Sequence, residues 1–305
     1  MPDFFIVDVF TQGPFTGNPL AVFVHGERFE TNHMQSLARE LNFSETTFIL
    51  PQNADGSWPV RIFTPVAELP FAGHPTLGTA FVIANKLMEE PTEVLTLDLL
   101  VGRIEIQIKY EHGKIHSLVM RQPQPIFSIV YPTRPVWDAL GLARYEIPAD
   151  LPPVQLVSTG LPFLIVPVPS LQAVREARLT LDRFETIPDM DPSTNVLLYT
   201  TEAQEASHDL HVRVFVPELG ISEDPATGSA NGCLCAYLLR YGQNGTAATS
   251  INLHAIVEQG YEIGRPSLLY LSGARKDETY EIHVGGQVEW VAQSTLYDSK
   301  DEDHS

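Results

Sequence analysis

The sequence predicts an α+β fold of two pseudo-symmetric domains, each a sheet wrapped around a central helix. Three observations lead there. First, a short pattern occurs twice. Arg61-Ile-Phe63-Thr-Pro65 followed by Gly73-His74-Pro75-Thr76-Leu77-Gly78-Thr79-Ala80 returns as Arg213-Val-Phe215-Val-Pro217 followed by Glu223-Asp224-Pro225-Ala226-Thr227-Gly228-Ser229-Ala230. From His74–Ala80 to Asp224–Ala230 the offset is a constant 150. An internal repeat of this kind implies two like domains. Second, most of the remaining chain reads as short strands. Third, two helical stretches, 76–88 and 226–240, are apolar nearly all round, the pattern of a helix buried on every side.

The chain opens on a β-rich stretch at 4–10. Residues 11–19, with two Gly and two Pro, form a loop. A strand at 20–24 precedes a helix at 31–41, where Met34, Leu37, Ala38 and Leu41 recur at i, i+3, i+4 and i+7. Strands at 46–50 and 60–63 lead into the first apolar helix. Strands at 94–100, 103–110 and 115–121 follow, the last two joined by the hairpin-type His112-Gly113-Lys114. Gln122-Pro-Gln-Pro125 marks the domain crossing. Beyond it lie a helix at 137–142, strands at 154–156 and 163–166, and a helix starting at 171–177. Strands at 196–200 and 209–215 precede the second apolar helix. Strands at 251–259, 267–271, 280–284 and 288–292 finish the chain.

Composition removes several classes. At 305 residues the chain can hold two ordinary domains, and its 44% hydrophobic and 19% charged content is that of a soluble globular protein. A net charge of −19 argues against nucleic acid, because phosphate contacts need clustered Lys and Arg. Part of that charge sits at 298–305, read as an acidic disordered tail. Cys233 and Cys235, two apart on a helix, point to different faces and cannot bridge each other. They read as small core residues, and without a disulfide framework the cytoplasm is the default location. The N-terminus lacks a signal-type apolar core, and no apolar run approaches the ~18–20 residues that span a bilayer. There is no G-x-G-x-x-G after a strand, phosphate loop, H-E-x-x-H or G-x-S-x-G. The ten histidines lack metal-ligand spacing; His208 and His211 are close but have no partner nearby in sequence. No nicotinamide, flavin or metal is expected.

The candidates for chemistry cluster at the two apolar helix starts. With Pro75 and Pro225 at the first helical position, His74 and Asp224 become the N-caps. The free N–H groups behind them favour an anion, and Gly78 and Gly228 keep the first turns slim enough for a ligand or a neighbouring backbone. A cleft between halves carrying two different titratable groups is a natural acid/base site. A plain cap is the alternative for Asp224, since Asp is among the commonest N-caps. Glu45, at a helix-to-strand junction, is a candidate proton shuttle or a solvated surface carboxylate. Asn18, in Gly17-Asn18-Pro19, either places its amide on a substrate oxygen or makes an Asn-Pro turn. Arg61 and Arg213 suit matched structural pairs.

Taken together, Val7-Asp8-Val9-Phe10, Gly17-Asn18-Pro19-Leu20-Ala21-Val22, Asn42-Phe43-Ser44-Glu45-Thr46, Glu68-Leu69-Pro70-Phe71-Ala72-Gly73-His74-Pro75, Glu223-Asp224-Pro225-Ala226-Thr227-Gly228-Ser229-Ala230, Gln259-Gly260 and Gly264-Arg265-Pro266-Ser267 resemble the PhzF family of phenazine-biosynthesis-like isomerases. The resemblance covers all but the acidic tail. It implies a diaminopimelate epimerase-like fold, a homodimer, no cofactor, and proton transfer on a small carboxylate of the trans-2,3-dihydro-3-hydroxyanthranilate type. By that resemblance Glu45, His74 and Asp224 are catalytic, and Ser44, Gly73, Gly228 and Ser229 bind the substrate; Asn18 is a substrate-binding candidate on the functional reading of its own loop. The expected domains are 1–121, closed by the last strand at about 286–297, and 122–285.

The chain departs from the family pattern at Ala67, Pro225 and Asn231-Gly232-Cys233, which leaves the substrate open. No cysteine stands at either helix start, which argues against two-base epimerisation through thiols. A racemase or lyase acting on another small acid, and a non-catalytic binding module, are the alternatives.

Overall fold

Apolar runs and breakers resolve into eighteen strands and six α-helices in the computed structural model, which describes residues 3–217, 221–242 and 252–296. The acidic tail at 298–305 and residue 251, expected in a strand, lie outside the described residues. The first ten elements are β1 (Asp3–Val9), β2 (Asn18–Phe23), α1 (Thr31–Leu41), β3 (Glu45–Ile49), β4 (Trp58–Phe63), β5 (Glu68–Leu69), α2 (Gly73–Lys86), β6 (Val94–Leu99), β7 (Gly102–Glu111) and β8 (Lys114–Arg121). Then come β9 (Ile126–Tyr131), α3 (Thr133–Ala139), β10 (Val154–Ser158), β11 (Pro162–Pro167), α4 (Leu171–Glu176), α5 (Leu181–Phe184) and β12 (Val196–Thr200). The chain continues with β13 (Leu210–Val216), β14 (Ile221–Asp224), α6 (Gly228–Tyr241), β15 (Asn252–Gln259), β16 (Ser267–Lys276), β17 (Thr279–Gly286) and β18 (Val288–Thr295). Two compact units form. One takes residues up to 15, 19–118 and from 287; the other takes 16–18 and 119–286.

In the first unit β18 pairs antiparallel with β1, which also pairs with β2. Strand β2 runs parallel to β3, with α1 as the crossover that a parallel pair requires. Strand β4 is antiparallel to β3 and β5 and parallel to β6, which pairs with β7. Helix α2 lies against β1, β3, β6 and β18, and its residues 73–83 are all buried. Phe4, Phe23, Phe48 and Phe63 point to the opposite face and pack with Phe29 and with Met34, Leu37 and Ala38 of α1. Phe23 stacks on both Phe4 and Phe48, at 4.8 and 4.9 Å between ring centroids. Covered on both faces, β3 is buried at every residue and reads as a continuous run rather than an alternation.

The second unit repeats this connectivity. Strand β9 pairs with β10, β10 with β11, and β11 runs parallel to β12 across α4 and α5. Strand β13 is antiparallel to β12 and β14 and parallel to β15; β16 and β17 complete the sheet. Helix α6 lies against β10, β11, β15, β16 and β17, buried from 228 to 239. Trp137, Val174 and Phe184, from α3, α4 and α5, fill the core on the sheet's other face. The repeat therefore runs through the strand order of each half, far beyond the two short motifs. The α+β fold of two like halves, each a sheet around a helix, is the diaminopimelate epimerase-like one.

The helix starts differ from expectation. Helix α2 begins at Gly73 with Ala72 as N-cap, and α6 at Gly228 with Thr227 as N-cap. His74 is thus the second helical residue, whereas Asp224 ends a strand. A residue before proline is disfavoured in a helix. Asp224 obeys. His74 does not, because the Thr76 amide and hydroxyl both bond the Ala72 carbonyl, at 3.3 and 2.7 Å, and close the turn. The repeat has Ala226 in place of Thr76, with no hydroxyl to do so. Helix α3 starts a turn earlier than expected, with Pro135 in a first turn that needs no amide donor, and stops before left-handed Gly141. Strand β9 leaves no pattern in the sequence because Ile126, Ile129 and Val130 are all exposed, which removes the alternation.

Each hairpin that precedes a central helix is closed by a bidentate ion pair. Arg61 Nε and Nη2 donate to Glu68 at 2.7 and 2.7 Å; Arg213 Nε and Nη2 donate to Glu223 at 2.9 and 2.7 Å. Each guanidinium also covers a strand phenylalanine, Phe63 at 5.1 Å and Phe215 at 5.0 Å. Arg61 Nη1 donates to Thr31 at the start of α1, and Arg213 Nη1 to the Val174 and Ala177 carbonyls at the end of α4. These are the matched structural pairs expected of the two arginines. The second is buried, at 6% and 7% side-chain exposure; the first is at 24% on both sides. Arg213→Met should therefore cost about 3–5 kcal/mol, the range for breaking a buried pair. Arg61→Met should cost about 1 kcal/mol. Urea unfolding of both variants measures this, and equal losses would contradict it.

Gly78 serves the core, not a ligand. A Cβ there would lie 2.6 Å from Leu20 Cδ2 and 2.8 Å from Val9 Cγ2. Helix propensity alone would make Gly78→Ala stabilising by about 1 kcal/mol. Overpacking of about 1–3 kcal/mol opposes it, so the variant should unfold at lower urea than the parent.

Candidate active site

In the first unit, α1 ends on Asn42 in the left-handed conformation (φ 54°), and Phe43 and Ser44 turn the chain into β3. Ser44 is half-buried, and Glu45, the first residue of β3, is 7% exposed. It is a buried carboxylate, not a solvated one. The register of β2 and β3 sets Leu20 beside Glu45, and the first turn of α2 places His74, also buried, over the same strand ends. His74 Nε2 lies 3.5 Å from Glu45 Oε2. The other ring nitrogen, Nδ1, is the one left to donate to the Pro19 carbonyl, since Nε2 makes no hydrogen bond. Burial drives the His74 pKa down to about 3, only partly offset by the Pro19 carbonyl. The imidazole is therefore neutral at physiological pH, and its contact with Glu45 is not a salt bridge. Nε2 presents a lone pair.

In the second unit Asp224 ends β14 opposite Val214 of β13. Its Oδ1 accepts from Asn18 Nδ2 at 3.0 Å and its Oδ2 from the Thr227 hydroxyl. Asn18 Nδ2 also donates to the Ala226 carbonyl at 3.0 Å. Both amide hydrogens of Asn18 are thus engaged within the protein. Burial pushes the Asp224 pKa up to about 6, against the pull of Thr227 and Asn18. Thr227 caps α6 without a side-chain bond to the helix; its hydroxyl is given to Asp224 instead. Gly228 and Ser229 open the helix, and their amides, like those of Gly73 and His74 in α2, have no acceptor within their own helix.

Three residues in this network carried no assigned role in sequence: Thr227, Gln259 and Asn231. Gln259, at the end of β15, donates to the Asp224 carbonyl at 2.8 Å and to Thr227 Oγ1 at 3.0 Å. Its Oε1 accepts from the Thr227 amide at 3.2 Å and Asn231 Nδ2 at 2.9 Å. No periodicity ties 259 to 227; the parallel pairing of β13 and β15 does.

The neighbouring Glu258 faces the other way, as alternate strand residues do, and resolves the histidine pair. Glu258 accepts from His208 Nδ1 at 2.7 Å, and its other oxygen sits 2.6 Å from His211 Nδ1. Glu262 lies 3.0 Å from His211 Nε2. Burial pushes the His211 pKa down, but Glu262 and Glu258 together outweigh it and raise it. This is an ion-pair knot; among the described residues no group is arranged to hold a metal.

The chain matches the family described as phenazine biosynthesis-like protein over residues 7–293. It is 32% identical to trans-2,3-dihydro-3-hydroxyanthranilate isomerase of Pseudomonas chlororaphis, over 97% of this chain and 99% of that protein. A solved phenazine biosynthesis protein of the PhzF family from Bacillus anthracis is 26% identical, with a TM-score of 0.87 and coverage of 97% and 99%. A probable proline racemase from Agrobacterium radiobacter shares the fold at 12% identity, with a TM-score of 0.61 and coverage of 97% and 93%.

The two buried groups pull stability in opposite directions with pH. His74, depressed to about 3, contributes stability that is present above its unfolded pKa of 6.5 and lost as pH falls towards 3. Asp224, raised from 3.8 to about 6, contributes stability that is present below 3.8 and lost as pH rises through 6. Between about pH 4 and 6 they nearly cancel. Asp224→Asn removes one side of that balance. Relative to the parent it should gain stability with rising pH across this window, by on the order of 1.4 kcal/mol per pH unit. Urea unfolding at several pH values measures the slope, and a flat difference curve would contradict it.

Proposed function

The chain belongs to the PhzF family of phenazine biosynthesis-like proteins, and from that premise we propose that it is an isomerase. It moves a proton, without a cofactor, on a small cyclic or unsaturated amino- or hydroxy-carboxylate of the trans-2,3-dihydro-3-hydroxyanthranilate kind. The observation that carries this reading is the buried pair Glu45 and neutral His74, 3.5 Å apart. Glu45 takes a proton from an activated carbon, becoming a carboxylic acid, and leaves the electron pair delocalised in the substrate. It returns the proton to a different carbon, so no atom or electron is gained or lost. His74 Nε2 accepts a hydrogen bond from the acid form and holds the proton in transit. Asp224, aimed by Asn18 and Thr227, holds the substrate's amino or hydroxyl group. Amides at Gly73, Gly228 and Ser229, with the Ser44 hydroxyl, hold its carboxylate and stabilise enolate-like charge.

The thiol chemistry of a two-base racemase finds little support. Cys233 and Cys235 are buried in α6, and burial pushes their pKa values up to about 11 and 12. Neither supplies a thiolate at neutral pH. The reading includes a homodimer, supported by the family resemblance, and a cytoplasmic location, supported by two cysteines placed where they cannot bridge each other. Among the described residues no helix is long and apolar enough to cross a membrane.

The test is proton NMR in D₂O with trans-2,3-dihydro-3-hydroxyanthranilate and a panel of small amino and hydroxy acids. The protein should exchange or relocate a carbon-bound proton. Glu45→Gln, which keeps the shape and removes the base, should slow this about 10²–10⁴-fold. Full turnover in that variant would rule out Glu45 as the base.

A further inference from the structure

Gln259 makes every hydrogen bond its amide can make, and the orientation is unambiguous. The Thr227 amide can only donate, so Oε1 faces it. The Asp224 carbonyl can only accept, so Nε2 faces it. One Nε2 hydrogen therefore goes to the Asp224 carbonyl and the other to Thr227 Oγ1. An oxygen that accepts there must aim its own hydrogen elsewhere, and Asp224 Oδ2 is the acceptor at hand. Asn231 locks the arrangement from α6, donating to both Gln259 Oε1 and the Thr227 carbonyl.

We propose that Gln259 is a positioning residue that turns the Thr227 hydroxyl onto Asp224 and so keeps that carboxyl group a hydrogen-bond acceptor. It acts through Thr227 and touches no reacting atom itself. The use of that acceptor by a substrate rests on the isomerase reading; the hydrogen-bond relay does not.

The relay is built into a rigid surround. Gly260 follows in the left-handed conformation (φ 79°), and a Cβ there would overlap the carbonyls of Arg265 and Pro225. Arg265 Nε and Nη2 donate to the Gly17 and Thr16 carbonyls, at 2.9 and 3.0 Å, and the Gly17 amide donates to the Pro266 carbonyl. The loop after Gln259 therefore also fixes the loop that carries Asn18, the other donor to Asp224. The charged groups on the elements around Asp224 are engaged elsewhere: Arg213 with Glu223, Glu258 with His208 and His211, Glu262 with His211, and Arg265 with those carbonyls. The carboxyl itself meets the neutral donors Asn18 and Thr227.

The readout is the ionisation of Asp224, followed by carbon NMR of protein labelled at the aspartate carboxyl carbon. The Asp224 signal is identified by its loss in Asp224→Asn. Gln259→Leu should raise the midpoint by about one pH unit, a tenfold gain in proton affinity. Thr227→Val should raise it similarly, and Thr227→Ser, which keeps the hydroxyl, should restore it. Adding Gln259→Leu to Thr227→Val should change nothing more, because the two act through one hydroxyl. No rise in Gln259→Leu, or rises that add in the double variant, would overturn the proposal. If Gln259→Leu fails to fold, as judged by circular dichroism, Gln259→Met takes its place, and an unshifted midpoint in Thr227→Val overturns the proposal equally. A protein inactive on every substrate still yields this titration, so failure of the isomerase reading and failure of the relay are read separately.

Discussion

One interaction constrains the chain just ahead of each central helix, the planar fork of an arginine closed on a glutamate. Two short strands, β5 and β14, deliver the chain to the two central helices, and each makes only a short ladder with its neighbour. Strand β5 has two residues and β14 four. Arg61 with Glu68, and Arg213 with Glu223, supply what the short ladders lack. Because a guanidinium presents its donors in a fixed plane, the pair sets the direction of the glutamate's strand as well as its distance. Asp224 is the residue next to Glu223, so the direction of the acid follows from the clamp one residue before it. His74 lies six residues beyond Glu68 and is oriented by the first turn of α2 instead, through the Thr76 bond to Ala72.

With the backbone fixed, burial decides the charge states. It keeps His74 neutral and favours the protonated form of Asp224, the same physical term acting on a base and on an acid. The two half-sites differ in what offsets it. His74 has a single carbonyl partner, so burial prevails. Asp224 has two donors, and its pKa stays near physiological pH rather than climbing far above it. Similar backbones with unlike hydrogen-bond supply thus yield one proton acceptor and one group poised between acid and acceptor.

Much of this is legible in the sequence. The two apolar helices announce themselves by being apolar all round, and the strands buried on one face by alternation. The elements that are missed, such as β9 and β5, are those whose side chains are exposed without alternation or whose span is too short for a pattern. Glu45, His74 and Asp224 stand out through motif and repeat. Their surroundings do not. The contact of Glu45 with His74 spans 29 residues, and it is made by the parallel pairing of β2, whose Pro19 holds His74, with β3. The Gln259 amide reaches Thr227 through the pairing of β13 with β15. Long-range parallel registers leave no local trace, because nothing at either end specifies its partner.

The last described strand adds a matter of timing. β18, residues Val288–Thr295, pairs with β1, residues Asp3–Val9, at the opposite end of the chain. During synthesis at about 5–20 residues per second, β1 emerges first and waits on the order of 15–60 s for that neighbour. Meanwhile its backbone N–H and C=O groups on that side lack their strand partner, an invitation to pair with another nascent chain. A fold that joins β1 to β18 thus leaves the residues between them unfinished along that edge until β18 has been made.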